Sequence, residues 1–423
     1  MRKLLILALT APLTLLAACS GSSGSSPPPP PPPPPPAQVI ANPGPPNVEP
    51  ITVDAGPAAL TGRVVNIAYV TVRICRVSTT QCQDVDHVQV DTGSSGLRIL
   101  ASALGSVVLD VEAAPGGLPV AECMQFADGS SFGPVALADV VMPTSGQVVS
   151  GMAVHVIGAT TFPQVPADCP GQPENDVASF GANGILGVGP FIQDCGPACA
   201  DAINFPSGWY YTCPSPTTAG GCAAAAIDTT QQVSNPVVFF NGDNNGVIVV
   251  LPAVADSGAT TVGGSLVFGI GTETNNGLEA ATVLLADTGY AYIQATYKGT
   301  TFMNAAIDSG SSANFFNDSS FSTCTVNTAL YCPGSTVDLT ATLQGVDMTM
   351  LAADFTLADA DSVLGANSSA TAMPGLGGPI LVQSPGAHSI QFDLGMPFHY
   401  GRNVFTAIEG QATPGGTGPY YAY

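Results

Sequence analysis

Two aspartates stand in the same short motif and are the residues best suited to chemistry in this sequence. The first motif is Asp91-Thr92-Gly93-Ser94-Ser95, and the second is Asp308-Ser309-Gly310-Ser311-Ser312. Glycine permits a tight turn that a bulkier side chain would obstruct. The hydroxyl side chains that flank each glycine can donate hydrogen bonds to the carboxylate or lock the turn. Each motif therefore predicts a carboxylate held on a tight turn.

A short apolar strand leads into each of these turns, at residues 88–90 and 305–307. Two such strand ends in one chain can bring Asp91 and Asp308 face to face, where the carboxylates cannot both ionise cheaply and therefore share a proton. The ionised carboxylate can take a proton from water, and the protonated one can donate to a carbonyl oxygen. We therefore predict a catalytic aspartate pair. The residues predicted to support it are Thr92, Gly93, Ser94, Ser309, Gly310 and Ser311.

A third Asp-Thr-Gly sequence, Asp287-Thr288-Gly289, is predicted to lie outside this pair. Tyr290 follows it at the position where the other two motifs carry a hydroxyl residue. No apolar segment ending in glycine is left downstream to partner it. We therefore interpret this sequence as a hairpin turn and keep Asp308 as the second catalytic candidate.

Each of the two chosen motifs is followed, at a similar distance, by an apolar segment that ends in glycine. The first segment contains Gly184-Ile185-Leu186-Gly187, and the second contains Asp393-Leu394-Gly395. The second copy is looser, because a single leucine precedes its glycine. The repeated order of aspartate turn and apolar segment predicts an internal duplication of one lobe.

The composition predicts an all-β chain made of two lobes. The 423 residues can bury two cores, and the 48 glycines, 38 prolines and many short apolar runs favour strands and turns over long amphipathic helices.

Only 9% of residues are charged, and the formal net charge is −22. Nucleic-acid binding is excluded because no basic stripe exists, and the Gly-Lys pair of a phosphate-binding P-loop does not occur.

The N-terminal segment predicts an exported lipoprotein. Residues 1–18 form a signal peptide, because two basic residues precede an apolar run too short to span a membrane. Leu16-Ala17-Ala18-Cys19 resembles the lipobox of bacterial lipoproteins, which makes Cys19 the predicted lipidated residue. Residues 19–47 read as a linker whose ten prolines extend about 30 Å as polyproline II. We assign residues 48–255 and 256–423 to the N-terminal and C-terminal lobes.

Ten cysteines remain after Cys19, and an even number in an exported chain predicts five disulfides. The simplest pairing joins sequence neighbours, although sequence alone does not prove connectivity. The predicted pairs are Cys75–Cys82, Cys195–Cys199, Cys213–Cys222, Cys324–Cys332 and, by what remains, Cys123–Cys169. The histidines are scattered and no Cys-x-x-Cys pair occurs, so we expect neither a metal nor a cofactor.

The two aspartate turns and their downstream glycines, taken together, resemble the pepsin-like aspartic peptidases. The resemblance covers roughly residues 60–410 and implies a bilobal all-β fold with a central cleft. The first turn, the cysteines and the tail Gly401 to Gly410 look more narrowly like an uncharacterised bacterial lipoprotein family within that superfamily. The resemblance implies that Thr92 and Ser309 brace the turns across the pair, while Ser94 and Ser311 bond the outer carboxylate oxygens.

Three positions depart from the pattern of that superfamily. Phe126 stands where its flap hairpin carries tyrosine, in the flap segment that includes Asp128 and Gly129. Arg98 replaces the tryptophan that would partner the flap tyrosine, and we consider it either a contact for a substrate carboxylate or a surface salt bridge. Asn183 replaces the usual aspartate before the first apolar segment.

The function implied by the resemblance is hydrolysis of peptide or protein substrates by a lipid-anchored aspartic endopeptidase. We expect a monomer in the bacterial cell envelope, at the outer membrane, bound to the membrane through Cys19. The alternative is a catalytically silent cleft that binds peptides or glycans at the cell surface, which the altered flap and Arg98 favour. A purely structural envelope lipoprotein would leave the doubled motif unexplained.

Overall fold

The computed structural model describes residues 5–6, 46–127, 129–162, 164–214, 221–380 and 389–423. Cys19, the proline-rich linker and Asp128 lie outside the described residues. The lipid anchor, the linker and the localisation therefore stay predictions. Within the part of the chain that is described, no helix is long and apolar enough to cross a membrane.

The chain is built almost entirely of short strands, as its valine, threonine and glycine content predicts. The strands are β1 (Leu5–Ile6), β2 (Val48–Val53), β3 (Arg63–Val64), β4 (Ala68–Arg76), β5 (Cys82–Asp91), β6 (Ser95–Leu100), β7 (Asp110–Val111), β8 (Val120–Gln125), β9 (Ser130–Val141), β10 (Val148–Ile157), β11 (Gly184–Val188), β12 (Tyr210–Thr212), β13 (Ala223–Ala224), β14 (Gly246–Val250), β15 (Val262–Phe268), β16 (Val283–Leu285), β17 (Ile293–Tyr297), β18 (Thr300–Ile307), β19 (Asn314–Phe316), β20 (Val337–Gln344), β21 (Met350–Leu357), β22 (Gly377–Gly378), β23 (Phe392–Leu394), β24 (Asn403–Ala407), β25 (Ala412–Thr413), β26 (Gly416–Thr417) and β27 (Tyr420–Ala422). The short helices are α1 (Val177–Phe180), α2 (Pro197–Ala200), α3 (Ala360–Ala366) and α4 (Met396–His399), with 3₁₀ turns at Ala101–Leu104, Thr229–Gln231 and Pro236–Phe239.

Two large sheets contain most of these strands. A 16-stranded sheet follows the order β13-β12-β8-β9-β10-β6-β11-β5-β4-β2-β15-β14-β24-β27-β16, and β7 pairs with β9 beside this path. A 7-stranded sheet follows the order β21-β20-β17-β18-β23-β19-β22. The larger sheet takes strands from both sides of residue 255, because β15 pairs with β2 and β14 pairs with β24. The boundary between the predicted lobes therefore stays a prediction.

The same three-strand arrangement occurs once in each large sheet. Strand β11 lies between β5 and β6, parallel to β5 and antiparallel to β6, with Gly187 opposite Asp91. Strand β23 lies between β18 and β19, parallel to β18 and antiparallel to β19, with Leu394 opposite Ile307. This repetition confirms the predicted all-β fold of two pseudo-repeated lobes.

The strand that leads into each aspartate turn contributes side chains to a buried apolar cluster. Val90 and Leu186 belong to the large cluster of the first lobe, and Ile307 and Leu394 belong to that of the second. All four side chains are buried. Burial of a valine or leucine side chain stabilises the folded state by about 1.5–3 kcal/mol. The strands that carry the aspartates are therefore held at their C-terminal ends by packed side chains.

The five disulfides join the predicted partners. They are Cys75–Cys82, Cys123–Cys169, Cys195–Cys199, Cys213–Cys222 and Cys324–Cys332. Four of them close loops of fewer than ten residues, with sequence separations of 7, 4, 9 and 8. The longer link, Cys123–Cys169, ties β8 to the segment that follows β10.

We expect alanine at Gly395 to destabilise the protein, because this glycine passes against the backbone of the second turn. A Cβ there would collide with the carbonyl oxygens of Ser311 and Ala313. Such overpacking should lower the free energy of unfolding by about 2–3 kcal/mol, measured by chemical denaturation. Gly263→Ala is the matched control, because no atom lies within 4 Å of its added Cβ. Equal stability of the two variants would contradict the close approach.

Candidate active site

The two predicted aspartates meet where the turns of the two lobes face each other. Asp91 is the last residue of β5, and Asp308 follows β18. A Cβ placed on Gly93 would lie 2.5 Å from Cγ of Asp308, so the first turn passes directly against the second carboxyl. Asp91 is 0% exposed and Asp308 is 7% exposed. The carboxyl groups therefore share one buried environment.

Each carboxyl accepts the same two kinds of hydrogen bond from its own turn. The amide of Gly93 donates to Oδ1 of Asp91 at 2.8 Å, and the hydroxyl of Ser94 donates to Oδ2. In the second turn the amide of Gly310 donates to Oδ1 of Asp308 at 2.7 Å. The hydroxyl of Ser311 lies 3.0 Å from Oδ2 of Asp308. The structure thus places these supporting residues beside the aspartates of their own motifs.

Thr92 and Ser309 bind the two turns to each other. The amide of Ser309 donates to Oγ1 of Thr92 at 2.9 Å, and the amide of Thr92 donates to Oγ of Ser309 at 3.1 Å. The hydroxyl of Ser309 also donates to the carbonyl of Val90 at 3.0 Å, and that of Thr92 to the carbonyl of Ile307 at 3.4 Å. We call these four bonds the Thr92–Ser309 grip. The grip fixes the turns across the lobe boundary and leaves neither hydroxyl unpaired.

Burial and the neighbouring charge hold a proton on Asp91. Burial raises the pKa of Asp91 most, the negative charge of Asp308 raises it further, and the hydrogen bond from Ser94 opposes the rise, with a result of about 8. Two carboxyls this close cannot both ionise cheaply, so they share a proton and titrate as a unit. Such a pair contains both a base that can take a proton from water and an acid that can donate one.

A third carboxyl, which the sequence analysis missed as a site residue, lies beside the pair. Oδ2 of Asp393 is 2.6 Å from Oγ of Ser311, and the side chain is 5% exposed. Burial, and then the charge of Asp308, raise the pKa of Asp393 well above its usual range. The sequence did contain a signal, because Asp393 occupies the position that Ile185 holds in the first apolar segment.

His399 is a second buried group near Asp308 that sequence analysis did not single out. Its Nδ1 lies 3.1 Å from the carbonyl of Gly395, and the imidazole is buried. Burial lowers the pKa of His399 to about 4, although the charge of Asp308 opposes this shift. The imidazole is therefore neutral at neutral pH and adds no positive charge beside the pair.

Phe126 and Gly129 of the predicted flap segment lie between the paired strands β8 and β9. The amide of Phe126 donates to the carbonyl of Gly129 at 2.8 Å, which closes the turn. The ring of Phe126 meets Phe180 edge to face at 5.9 Å and packs against a buried cluster of the first lobe. A Cβ on Gly129 would lie 2.5 Å from the carbonyl oxygen of Gln172, so the tip is pressed against that segment.

Both sequence-based interpretations of Arg98 are wrong in this structure. The guanidinium is 0% exposed, so it forms no surface salt bridge and is closed to a substrate carboxylate. Its Nη2 lies 2.7 Å from Oε1 of Glu122 and 2.9 Å from Oδ2 of Asp194. A buried guanidinium needs such partners because an unpaired charge in an apolar interior is strongly unfavourable. Neither partner is near Arg98 in the sequence.

Tyr210 extends this buried network around Arg98, and His155 lies beside it. The hydroxyl of Tyr210 donates to Oδ1 of Asp194 at 2.7 Å and accepts from the amide of Val233 at 2.8 Å. Nδ1 of His155 lies 3.1 Å from Oε2 of Glu122, and burial lowers the pKa of His155 to about 4. Because Glu122 belongs to β8 and Arg98 to β6, the network ties the β8–β9 hairpin to the strand after the first aspartate turn.

The third Asp-Thr-Gly sequence forms a turn between β16 and β17, outside the aspartate pair as predicted, but this turn is not the predicted hairpin, because β16 pairs with β27 whereas β17 pairs with β18 and β20. Oδ1 of Asp287 accepts from the amides of Gly289 at 2.9 Å and Tyr290 at 2.8 Å. Its Oδ2 accepts from the amide of Tyr292 at 2.7 Å. The carboxylate therefore caps its own turn rather than facing a second carboxylate.

One group of potential metal-ligating side chains occurs among the described residues, and it lies away from the aspartate pair. It consists of Cys324, Cys332 and Asp361. The two cysteines are joined as a disulfide and so provide no thiolate. Asp361 instead accepts hydrogen bonds from the loop at residues 325–327. The group offers a metal ion a single carboxylate.

Comparison with known proteins places the chain in a family. Residues 43–423 match the family described as protein of unknown function (DUF3443). Because the match covers most of the chain, the protein belongs to this family. No curated protein sequence matches the chain.

Among solved structures, an aspartic proteinase from Irpex lacteus is similar to this chain. The TM-score is 0.46 and the sequence identity is 13%. The match covers 89% of this chain and 96% of that one.

We predict that Arg98→Met destabilises the protein far more than the loss of an exposed salt bridge. Removing Arg98 leaves buried carboxylates without their cation, which should lower the free energy of unfolding by about 3–5 kcal/mol. Arg73→Met is the matched control, because Arg73 pairs with Asp84 while both side chains are nearly half exposed. That change should cost about 1 kcal/mol or less. Chemical denaturation of both variants tests the difference, and a small loss for Arg98→Met would contradict the buried pairing.

We also predict that the proton on Asp91 makes stability depend on pH. The native carboxyl keeps its proton up to about pH 8, whereas the unfolded chain releases it near pH 4. Unfolding between these values releases a proton, so the free energy of unfolding falls as pH rises, by up to about 1.4 kcal/mol per pH unit.

Denaturation curves recorded across this range measure the slope. Asp91→Asn should make this slope of unfolding free energy against pH shallower, because the asparagine side chain does not titrate in this range. Asp287→Asn is the control, because it makes the same change in an Asp-Thr-Gly turn that lies outside the pair. A slope that is identical in the wild type and Asp91→Asn would contradict the shared proton.

Proposed function

We propose that this protein is an aspartic-type endopeptidase that hydrolyses peptide bonds with a water molecule activated by Asp91 and Asp308. The observation that carries the proposal is the buried pair itself. Two carboxyls with matched donors are fixed against each other by the Thr92–Ser309 grip and hold one proton between them. Two carboxyls that are buried together without a cation between them repel each other unless they share a proton, and such perturbed carboxyls are concentrated at functional sites.

The chemistry follows from the protonation state of the pair. The ionised carboxylate takes a proton from water as the water oxygen forms a bond to the scissile carbonyl carbon. The protonated carboxyl donates its proton to the carbonyl oxygen, which gives a neutral tetrahedral intermediate. In the second step the first carboxyl returns its proton to the leaving nitrogen while the C–N bond breaks. The other carboxyl takes a hydroxyl proton of the intermediate, and the pair is restored.

We further propose that the enzyme acts as a monomer in the bacterial cell envelope, at the outer membrane. The support is the sequence alone: a signal peptide, the lipobox at residues 16–19 and a proline-rich linker. A lipid on Cys19 would hold the catalytic lobes near the membrane at the end of a stiff spacer. Its substrates would be peptides or proteins.

A second candidate function, a silent cleft that binds peptides or glycans, is favoured by one observation. The hairpin that would cover a substrate carries Phe126 instead of a hydroxyl-bearing tyrosine, and this ring packs on Phe180 of its own lobe. A hairpin without that hydroxyl has lost a group that could orient a bound peptide. The pair of aspartates would then be a remnant of an ancestral enzyme.

Hydrolysis of a complex peptide mixture separates the two functions. The oxidised protein should cut between apolar residues at mildly acid pH, with new termini mapped by mass spectrometry. We expect Asp308→Asn to lower the rate by about 10³-fold, because general acid–base catalysis contributes about 10²–10⁴-fold.

Asp287→Asn is the matched control, because it makes the same change in the third Asp-Thr-Gly sequence. The Asp287→Asn variant should cleave the same peptide bonds as the wild type. Folded wild-type protein that cuts nothing at any pH, or cuts that survive in Asp308→Asn, would overturn the proposal. Peptide binding that persists in Asp91→Asn without turnover would establish the binding function instead.

A further inference from the structure

The two halves of the aspartate pair differ in the strand that carries the downstream glycine. Each aspartate accepts one bond from a glycine amide and one from a serine hydroxyl of its own turn. Each turn also lies beside the strand that carries the downstream glycine. In the first lobe that strand presents Ile185 opposite Gln89, and in the second it presents Asp393 opposite Ala306. Asp393 therefore breaks the pseudo-symmetry of the pair.

Ser311 is the link between Asp393 and Asp308. Its Oγ lies 3.0 Å from Oδ2 of Asp308 and 2.6 Å from Oδ2 of Asp393. A serine hydroxyl has one proton to donate, so it cannot serve both oxygens as a donor at once. If Asp393 carries a proton, it can donate to Oγ of Ser311, and Ser311 can donate to Asp308. If Asp393 and Asp308 were both ionised, the single proton of Ser311 could be donated to only one of them. The other carboxylate would then face a lone pair of Oγ.

The surroundings of Asp393 favour its neutral form. Its flanking residues Phe392 and Leu394 belong to the buried apolar cluster of the second lobe, together with Tyr421. Among the described residues, Oδ1 of Asp393 has no hydrogen-bond partner. An ionised carboxylate in such a place would be shielded from solvent and its Oδ1 would have no donor, which is strongly unfavourable.

The titratable side chains that interact with Asp393 in the described part of the chain supply no positive charge. Asp308 and Asp91 both raise the pKa of Asp393. Tyr292 and Tyr421 interact with it electrostatically, and burial, first among the causes, raises the pKa of both phenols. His399, near Asp308, is buried and neutral at neutral pH. No side-chain cation among the described residues is therefore a cause of the pKa shift of Asp393.

We propose that Asp393 is a positioning residue that holds a proton and, through Ser311, makes Asp308 the base and Asp91 the acid of the pair. The proposal rests on the proposed peptidase function. Asp393 donates to Ser311, and the hydroxyl of Ser311 is then committed to Asp308, whose negative charge it stabilises. Hydrogen bonds in such a chain strengthen one another. Ile185 offers Ser94 and Asp91 no equivalent donor, so the proton of the pair stays on Asp91.

The proton of Asp393 is not consumed in this scheme. Water gives its proton to Asp308, and Asp91 gives its proton to the carbonyl oxygen while the new C–O bond forms. When the C–N bond breaks, Asp308 returns its proton to the nitrogen and Asp91 regains one from the intermediate. Asp393 keeps its proton throughout, so its effect is to select which carboxyl starts as the base.

Two substitutions at this position separate a positioning role from a structural one. Asp393→Ile installs the residue of the pseudo-equivalent position and removes the donor to Ser311. We expect it to lower kcat about tenfold with little change in KM, and to move the acid limb of the pH profile to higher pH. Asp393→Asn keeps an N–H donor, and it should recover most of the lost kcat and the position of the acid limb.

A double-mutant cycle tests the route through Ser311. Asp393→Ile should have little further effect on kcat in a Ser311→Ala background, because the link is already broken. A purely structural Asp393 would instead lower thermal stability without moving the pH profile. Unchanged kcat and an unchanged pH profile in folded Asp393→Ile would overturn the proposal, and so would fully additive effects in the cycle.

Infrared spectroscopy of ¹³C-aspartate-labelled protein gives a readout that needs no activity. At neutral pH the wild type should show bands of buried protonated carboxyls, and Asp393→Asn should lose one of them. This comparison tests whether Asp393 holds a proton even if Asp393→Ile fails to fold. An Asp393→Asn spectrum that keeps every protonated-carboxyl band of the wild type would overturn the proposal. If no variant hydrolyses peptides but the band is lost, the peptidase function has failed while the proton on Asp393 stands.

Discussion

The Thr92–Ser309 grip is the constraint on which the site depends, because it brings two carboxyls together that would otherwise repel each other. Each turn donates an amide to the hydroxyl of the other, and each hydroxyl donates to a backbone carbonyl of the opposite strand. The four bonds pair the amides and hydroxyls of both residues, so these groups can be buried without orphaned donors. The energetic cost of the pair is reduced by one shared proton and by the amide and hydroxyl donors within each turn.

The same arrangement of three strands lies beside each of the two aspartate turns. Strand β11 lies between β5 and β6, and strand β23 repeats this arrangement between β18 and β19. The glycine at the end of each inserted strand lets it pass against the adjacent turn backbone. The repeated arrangement holds the two carboxyls in equivalent positions. The proposed acid–base chemistry, however, needs one carboxyl that is ionised and one that is protonated. A single buried residue, Asp393 in place of isoleucine, is sufficient to make them unequal.

Local features of the sequence were enough to predict the all-β duplicated fold, the five cysteine pairs and the meeting of Asp91 with Asp308. The motifs succeeded because a tight turn, an apolar strand and a short disulfide loop are each specified within a few residues. Contacts made across the fold were not predictable in this way. Arg98 was misjudged because Glu122 and Asp194 lie 24 and 96 residues away, and Asp393 was overlooked as a site residue because its link to Ser311 spans 82 residues.

The most direct test of the account is a count of the protons held by the aspartate pair as pH changes. Carboxyl ¹³C chemical shifts of labelled protein, assigned with the Asp91→Asn and Asp308→Asn variants, follow both members separately. The account predicts that one member of the pair stays ionised at neutral pH while Asp91 keeps its proton until about pH 8. Ionisation of both carboxyls together near pH 4, as for two isolated aspartates, would contradict a shared proton and remove the basis for the catalytic pair.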